Sequence, residues 1–388
     1  MKSTRLVARL LVLLTVLVTG TTVFASAASA DAIPGGKLFA GGAFTEAGGT
    51  TATRIAAWNG VNWSALAGPN GEGADGSVFA MTMYNGKLIV GGSFIEAGGE
   101  VVSGIASWNG TTWEPLVGST GAIGVSILPL GFVSALAVYN GDLYVGGLFQ
   151  TAGGVPVDNI ARWNGSDWSP VTGPSGFGTA IDGSDIAPVF DMTAVDGRLI
   201  IAGEFTSAGG VAANSVAAWN GSTWSSVDQP IANATILAVE NFNGRLVAAR
   251  GYSEDNVFLR DVAWRDNGQW SVLGGATAGR PDSDVRDLTN YNGQLVAGGQ
   301  FTQIGGVTVN HVAAWNGSTW SGLSGPSGIG TDGDVFAVTV HWGFLTVGGL
   351  FGLAGGVPAS NMARWNGSAW SAVPGGGVNG QVFELLST

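Results

Sequence analysis

Apolar residues fall in short runs broken by glycine and asparagine, and no run keeps the 3.6-residue period of a helix. The stretch from Leu88 onward shows the unit. Leu88–Phe94 is apolar and then glycine-rich, Ile105–Trp108 is a second run, and Trp113–Leu116 is a third. After a longer loop, Val133–Tyr139 leads through Asn140-Gly141 into Leu143–Gly147. Asn-Gly between apolar runs predicts a tight hairpin, because both central residues must take positive φ. Each unit therefore predicts four short strands, called here a (Val133 type), b (Leu143 type), c (Ile160 type) and d (Trp168 type).

The unit recurs seven times. Its marker is a pair of tryptophans five or six residues apart: Trp58/Trp63, Trp108/Trp113, Trp163/Trp168, Trp219/Trp224, Trp264/Trp270, Trp315/Trp320 and Trp365/Trp370. Successive pairs start 50, 55, 56, 45, 51 and 50 residues apart. A self-similar period of this length marks one supersecondary unit stacked many times. With Asn59-Gly60 as a two-residue turn, Trp58 is expected opposite Val61 and Ala56 opposite Trp63, which puts both indoles on one face. Alanine recurs at the Ala56 position in six units, consistent with a small side chain beside a large ring. The other face carries Ile55, Ile105, Ile160, Val216, Val312 and Met362. A sheet apolar on both faces must be covered on both, and radial stacking does this.

The fold class expected is thus all-β: a seven-bladed β-propeller of four-stranded antiparallel blades, with repeats starting near 37, 87, 142, 198, 245, 294 and 344. The first unit lacks strand a, and the chain ends on a lone strand a, Val382–Leu386. Pairing the two closes the ring. Gly41-Gly42 and its equivalents end strand b, where glycine marks a bulge or close backbone approach. Gly48-Gly49 and its equivalents fall in the b–c loop, where positive φ explains them.

Residues 1–30 read as a secretory signal, and 31–388 as a single propeller domain. Lys2, Arg5 and Arg9 precede the apolar stretch Leu10–Val18, and Ala28-Ser29-Ala30 offers a cleavage site. The general secretory route is expected, with a secreted, extracellular or periplasmic product. The chain carries 15 basic and 27 acidic residues, a net charge of −12. Loss of the three leader cations deepens it to −15, which disfavours nucleic acid and anionic membrane surfaces. Beyond the leader no segment is long and apolar enough to span a membrane. With no cysteine, disulfides and thiolate sites are excluded.

Leu143–Gly147, Trp163-Asn164 and Trp168 follow the order of a kelch-type blade, with Trp-Asn in place of the usual Tyr-Asp. Phe301–Val307 and Val312–Ser321 are closer still to secreted bacterial repeats and to the fungal cortical cell-polarity-marker repeats. This resemblance covers residues 37 to 388. It implies a kelch-like propeller, with a galactose oxidase-like fold, serving as a scaffold and binding surface. The copper oxidation of some relatives needs a cysteine–tyrosine crosslink, which this chain lacks.

Strand alternation puts the short a–b and c–d turns on one rim. The variable d–a loops and the b–c loops lie on the other, the usual layout of a binding surface. Ligand contacts are expected there from the loop acids Asp182, Asp185, Asp332 and Asp334, and from Arg250, Tyr252, Arg280 and Arg286 around the irregular fifth unit. One strand a register holds Asp191, Asp287 and Glu384, expected at the channel mouth with room for a hard cation such as calcium, though no cofactor is required. The two histidines, His311 and His341, are expected on opposite rims, too far apart to share a metal. Trp342, outside the pairs, is a candidate for display. The leading reading is a monomeric, non-catalytic binding module for an extracellular glycan or protein. An extracellular hydrolase or lyase using loop carboxylates, and a structural envelope or matrix protein, stay open.

Overall fold

The computed structural model describes residues 36–127, 130–181, 187–227, 234–253, 260–275 and 279–388. Among them there is no helix, and the strands form seven four-stranded antiparallel sheets in the order a-b-c-d, with short b–c hairpins beside them. The sheets are numbered here by their Trp pairs. Strand a is Val78–Tyr84 in the second sheet, Phe132–Tyr139 in the third, Val189–Val195 in the fourth and Ala234–Phe242 in the fifth. It is Val285–Tyr291 in the sixth and Asp334–His341 in the seventh. The first sheet takes its strand a from the far end of the chain: Val382–Ser387 pairs with Leu38–Gly42, Leu38 opposite Ser387. Each strand a lies against strand a of the next sheet, and that of the first sheet lies against those of the second and seventh.

The a–b turns are as expected. Tyr84 pairs with Lys87 across Asn85-Gly86, whose φ values are 50° and 77°. The c–d turns are not. Trp58 sits directly opposite Trp63, and Ala56 opposite Ala65, so this loop has four residues. Trp320 is displaced in the same way: it faces Trp315, not Ala313, which pairs with Gly322 instead. Trp113, Trp168, Trp224 and Trp370 likewise face Trp108, Trp163, Trp219 and Trp365. The Asn59 side chain explains the shift: Oδ1 accepts hydrogen bonds from the amides of Val61 (3.0 Å) and Asn62 (2.9 Å), replacing the backbone turn. The same Asx geometry recurs at Asn109, Asn164, Asn220, Asn316 and Asn366. Both indoles still share a face, with ring centroids 5.1 to 6.5 Å apart in six sheets. The fifth sheet departs. Asn267-Gly268 is a true two-residue turn there, so Trp264 faces Ser271 and Trp270 faces Arg265, and the two rings point to opposite sides.

The paired tryptophans join sheets. The second indole donates its Nε1–H to the carbonyl just past strand d of the preceding sheet: Trp113 to Leu66 (2.8 Å), Trp224 to Val171 (3.3 Å), Trp370 to Leu323 (2.9 Å). Trp168 and Trp320 make the longest of these bonds, to Leu116 and Leu273, at 3.4 Å each. Trp63 donates to Gly376, in the segment after the seventh sheet (2.8 Å). The b–c glycines exist for these rings. A Cβ on Gly98 would stand 2.2 Å from Trp113 Cδ1, and one on Gly153 2.2 Å from Trp168 Cδ1. At Trp320 the fit is looser, with a Cβ on Gly305 3.0 Å from its Cδ1. The strand b glycines admit the next sheet: a Cβ on Gly91 would meet Val133 Cγ1 at 2.4 Å.

Trp342 is half-buried. Its ring packs 4.3 Å from His341 and 5.5 Å from Trp58, and the Arg364 guanidinium lies 5.3 Å over Trp58. His341 is buried, donating or accepting at Nδ1 with Ser387 Oγ (2.8 Å), and burial pushes its pKa down to about 4. His311 stands near Asp334, at the opposite end of the strand that ends in His341; the eight residues of that strand span about 25 Å.

Candidate functional site

Strand a carries a β-bulge at its start in every sheet. The pairing skips Phe79, Ser134, Phe190, Leu237, Arg286, Phe336 and Phe383, and in the fifth sheet a second shift skips Thr235 as well. A bulge re-aims the extra side chain. The first seven keep partial solvent exposure, whereas the residue before each is buried. They fall at the end of strand a that receives the d–a loop. Four aromatic rings run continuously there: Phe132 to Phe79 (6.2 Å), Phe79 to Phe383 (5.4 Å) and Phe383 to Phe336 (5.7 Å). Rings at these separations interact favourably edge to face or tilted.

On the sixth sheet the skipped residue is instead Arg286, which joins a polar network reaching the fifth and seventh sheets. Arg286 Nη2 donates to Gln300 Oε1 (2.9 Å) and to Asp284 Oδ2 (3.3 Å). Gln300 Nε2 donates on to Asp334 Oδ2 (2.9 Å), and His311 Nδ1 lies 3.6 Å from Asp334 Oδ1. Arg260 Nε holds Asp284 from the other side (2.9 Å). Burial lowers the Arg286 pKa, opposed by the charges of Asp284 and Asp334.

One residue further along strand a comes the acidic register. Asp191, Asp287 and Glu384 pair with Ala202, Gly298 and Gly41 of strand b, and alanines fill the four equivalent positions. The two aspartates tie neighbouring sheets. Asp191 accepts from its own neighbour Met192 (2.7 Å) and from Val239 of the next strand a (2.7 Å). Asp287 does the same with Leu288 (2.7 Å) and Val338 (2.7 Å). Glu384 has no hydrogen-bond partner among the described residues. Burial pushes Asp191 up to about 8, the amide of Val239 offsets part of this, and the Asp287 charge adds to it. Burial likewise pushes Asp287 up to about 7, and burial with the Asp287 charge pushes Glu240 to about 7. Glu384 rises well above its ordinary value through burial, then through Asp287 and Asp191. No cation enters any of the four shifts. Among the described residues no three His, Asp or Glu side chains approach closely enough to hold a metal ion.

The other expected contacts divide. Arg286 and Asp334 join one network through Gln300. Arg280 is half-buried. Arg250 does not reach the rim: it is buried within the fifth sheet, its Nε donating to Asp261 Oδ1 (2.5 Å) and its Nη2 to Asp261 Oδ2. Asp332 is a cap, its Oδ1 accepting from the amides of Gly352 (2.8 Å) and Leu353 (2.7 Å). Asp75, Asp282 and Asn379 cap their own b–c hairpins in the same way. Of the second tryptophans, Trp63, Trp113, Trp168, Trp224, Trp320 and Trp370 are buried, and Trp270 of the irregular fifth sheet is half-buried. Asp182, Asp185 and the Tyr252 side chain lie outside the described residues. The reading of the sequence missed the phenylalanine row, although Phe79, Phe190, Phe336 and Phe383 each stand one residue before the acidic register.

A family model described as a domain of unknown function (DUF5122), a β-propeller, matches residues 196–217. These residues run from the a–b turn of the fourth sheet through strand b into strand c. No curated protein matches the chain. Among solved structures, the computationally designed Ika8 protein is similar at 13% identity, covering 86% of this chain and 85% of that one, with a TM-score of 0.48. The WD40 β-propeller domain of Doa1 is 11% identical over 78% of this chain and 84% of its own, TM-score 0.45. YCF48 bound to D1 peptide is 12% identical over 81% and 84%, TM-score 0.45. No helix among the described residues is long and apolar enough to cross a membrane.

Proposed function

We propose that the chain is a secreted, non-catalytic binding module whose ligand is a segment of another protein. In this reading the seven sheets are the blades of one closed, kelch-like propeller of the cell-polarity-marker type. The b–c and d–a loops form its binding rim, and the strands a line a central channel. The cyclic order of strand a contacts and the pairing of Leu38–Gly42 with Val382–Ser387 support closure. The Lys2–Ala30 leader supports export.

The observation that carries the ligand class is the continuous row Phe132–Phe79–Phe383–Phe336 at the loop-rim mouth, beside the Arg286–Gln300–Asp334 network. Half-exposed Phe79, Phe383 and Phe336, backed by the buried Phe132, stand next to a hydrogen-bonded arginine and fit the anchoring of a bulky apolar side chain with polar contacts at its edge. The tryptophans suited to sugar stacking, Trp320 among them, are instead committed between sheets. The acids Asp75, Asp282 and Asp332 give their carboxylates to backbone amides, which favours binding over a loop-carboxylate hydrolase.

The test pans a random peptide library and a glycan array on residues 31–388, with and without calcium. Enrichment of peptides sharing a bulky apolar residue is expected in both conditions. Glycan binding with no peptide enrichment would overturn the reading.

A further inference from the structure

We infer that the short-turn rim holds a carboxylate site at the junction of the seventh and first sheets, centred on the Arg364 guanidinium. The site lies on the rim opposite the proposed binding loops and does not depend on that reading. Its frame is one face of the seventh sheet, where strand b is Phe344–Leu350 and strand c is Met362–Trp365. His341 pairs with Phe344 across the Trp342-Gly343 turn, and Thr346 pairs with Arg364. Cross-strand partners share a face, and so do residues two apart, so all four side chains project from one face. Trp58 of the first sheet covers that face: its ring centroid is 5.9 Å from that of His341 and 5.3 Å from the Arg364 guanidinium carbon.

The third sheet shows what Arg364 lacks. Arg162 holds the same place on strand c there, and its Nε donates to Asp142 Oδ2 (2.7 Å). Asp142 is the first residue of strand b, paired with Tyr139. In the seventh sheet that position is Phe344, paired with His341, so a ring stands where the carboxylate would be. The Arg364 guanidinium stacks 4.5 Å from Phe344 instead, and it forms no ion pair or side-chain hydrogen bond among the described residues. Burial lowers its pKa with no acid to offset it. Rings on its faces leave the N–H edge of the fork free, and that edge fits a planar carboxylate through two parallel bonds.

Two further polar atoms on this face point to an occupant. Thr346, directly across from Arg364, is fully buried and its Oγ1 has no partner; His341 is 2% exposed and its Nε2 has none. With Nδ1 accepting from Ser387 Oγ, Nε2 carries the ring proton. The Nε of Arg364 is likewise buried and unpartnered. Buried donors left without acceptors are costly, and an entering carboxylate offers about four lone-pair sites. Arg364, Phe344 and Trp342 keep partial solvent exposure, which gives a small acid a way in. The aromatic walls of Trp58, Trp342 and Phe344 favour an acid with an apolar body.

The experiment is calorimetry of residues 31–388 with sodium benzoate, an end-blocked Gly-Glu-Gly peptide and inorganic phosphate. Saturable 1:1 benzoate binding is expected, at least tenfold weaker in Arg364→Met and unchanged in Arg162→Met, because Asp142 already holds Arg162. Phe344→Asp gives Arg364 the carboxylate that Arg162 has, so it should abolish binding while keeping the circular dichroism of the parent. That variant decides the outcome where Arg364→Met does not fold. No saturable binding of either carboxylate, equal affinity in Arg364→Met, or binding that survives in Phe344→Asp overturns the site. Benzoate bound more tightly than the peptide assigns the site to a free organic acid, and the reverse assigns it to an acidic side chain of a partner protein. Phosphate bound as tightly as either would make it a general anion site and overturn the carboxylate assignment.

Discussion

Chemical denaturation should find the protein more stable at pH 5 than at pH 8, and Glu384→Gln should remove part of the difference. Four carboxyl groups sit on strand a with pKa values raised by burial: Asp191 to about 8, Asp287 and Glu240 to about 7, and Glu384 well above the ordinary range. In the unfolded chain they lose their protons near pH 4. The contribution of Asp191, Asp287 and Glu240 is complete below that pH and is lost as pH rises through 7 to 8, and that of Glu384 is lost in the same direction, because the folded state then must ionise groups that water solvates only in part. Each unit of pKa difference is worth about 1.4 kcal/mol, so the combined loss by pH 8 is on the order of 5 kcal/mol once the partial solvent exposure of these groups is allowed for. His341 works in the other direction. Its folded pKa of about 4 lies below the unfolded value, so its contribution is present above pH 6.5 and is lost as pH falls through 4. One imidazole against four carboxyls leaves the slope downward from pH 5 to pH 8. Glu384→Gln removes a titrating group that makes no hydrogen bond among the described residues, so the variant should be more stable than the parent at pH 8. Equal denaturation midpoints at the two pH values would contradict the burial of these groups.

Gly98→Ala should cost about 3 to 5 kcal/mol, a second large effect. The backbone at Gly98 has a φ of +58°, which alone costs an L-residue roughly 1–2 kcal/mol. The new methyl would also stand 2.2 Å from Trp113 Cδ1 and 3.0 Å from Cγ. That ring cannot yield cheaply: its Nε1 is bonded to Leu66 O at 2.8 Å, and Trp108 packs on it at 5.2 Å. Gly86→Ala supplies the control, having a φ of +77° with nothing within 4 Å of its would-be Cβ. It should lose only the backbone part. Similar losses in the two variants would show that the indole contact contributes nothing.

Much of this architecture was legible in the sequence. The Asn-Gly a–b turns follow from the need for positive φ, and the pairing of the two chain ends from the strand each end lacks. The c–d register was not, because Asn59-Gly60 looks like a two-residue turn until the Asn59 side chain takes two amides and adds two residues to the loop. Asn316 does the same ahead of Trp320, taking the amides of Ser318 and Thr319. The fifth unit shows the converse: the wider spacing of Trp264 and Trp270 allows a true two-residue turn and sends the rings apart. Asp332 read as a ligand because a capping aspartate and a binding aspartate have the same loop context; its partners, Gly352 and Leu353, are 20 and 21 residues away. The phenylalanine row escaped for a different reason. Alternation assigns Phe79 and Phe383 to the face opposite the acids, and only the bulge, invisible in the pattern, turns them outward beside them.

The most direct test of the binding rim compares the affinity of a library-selected peptide for three forms of the mature protein: the parent, Phe383→Ala and Met83→Ala. Met83 is exposed at the other end of a strand a, toward the short-turn rim. A loss of tenfold or more, about 1.4 kcal/mol, is expected in Phe383→Ala and no change in Met83→Ala. Unaltered affinity in Phe383→Ala, or a loss confined to Met83→Ala, would contradict it.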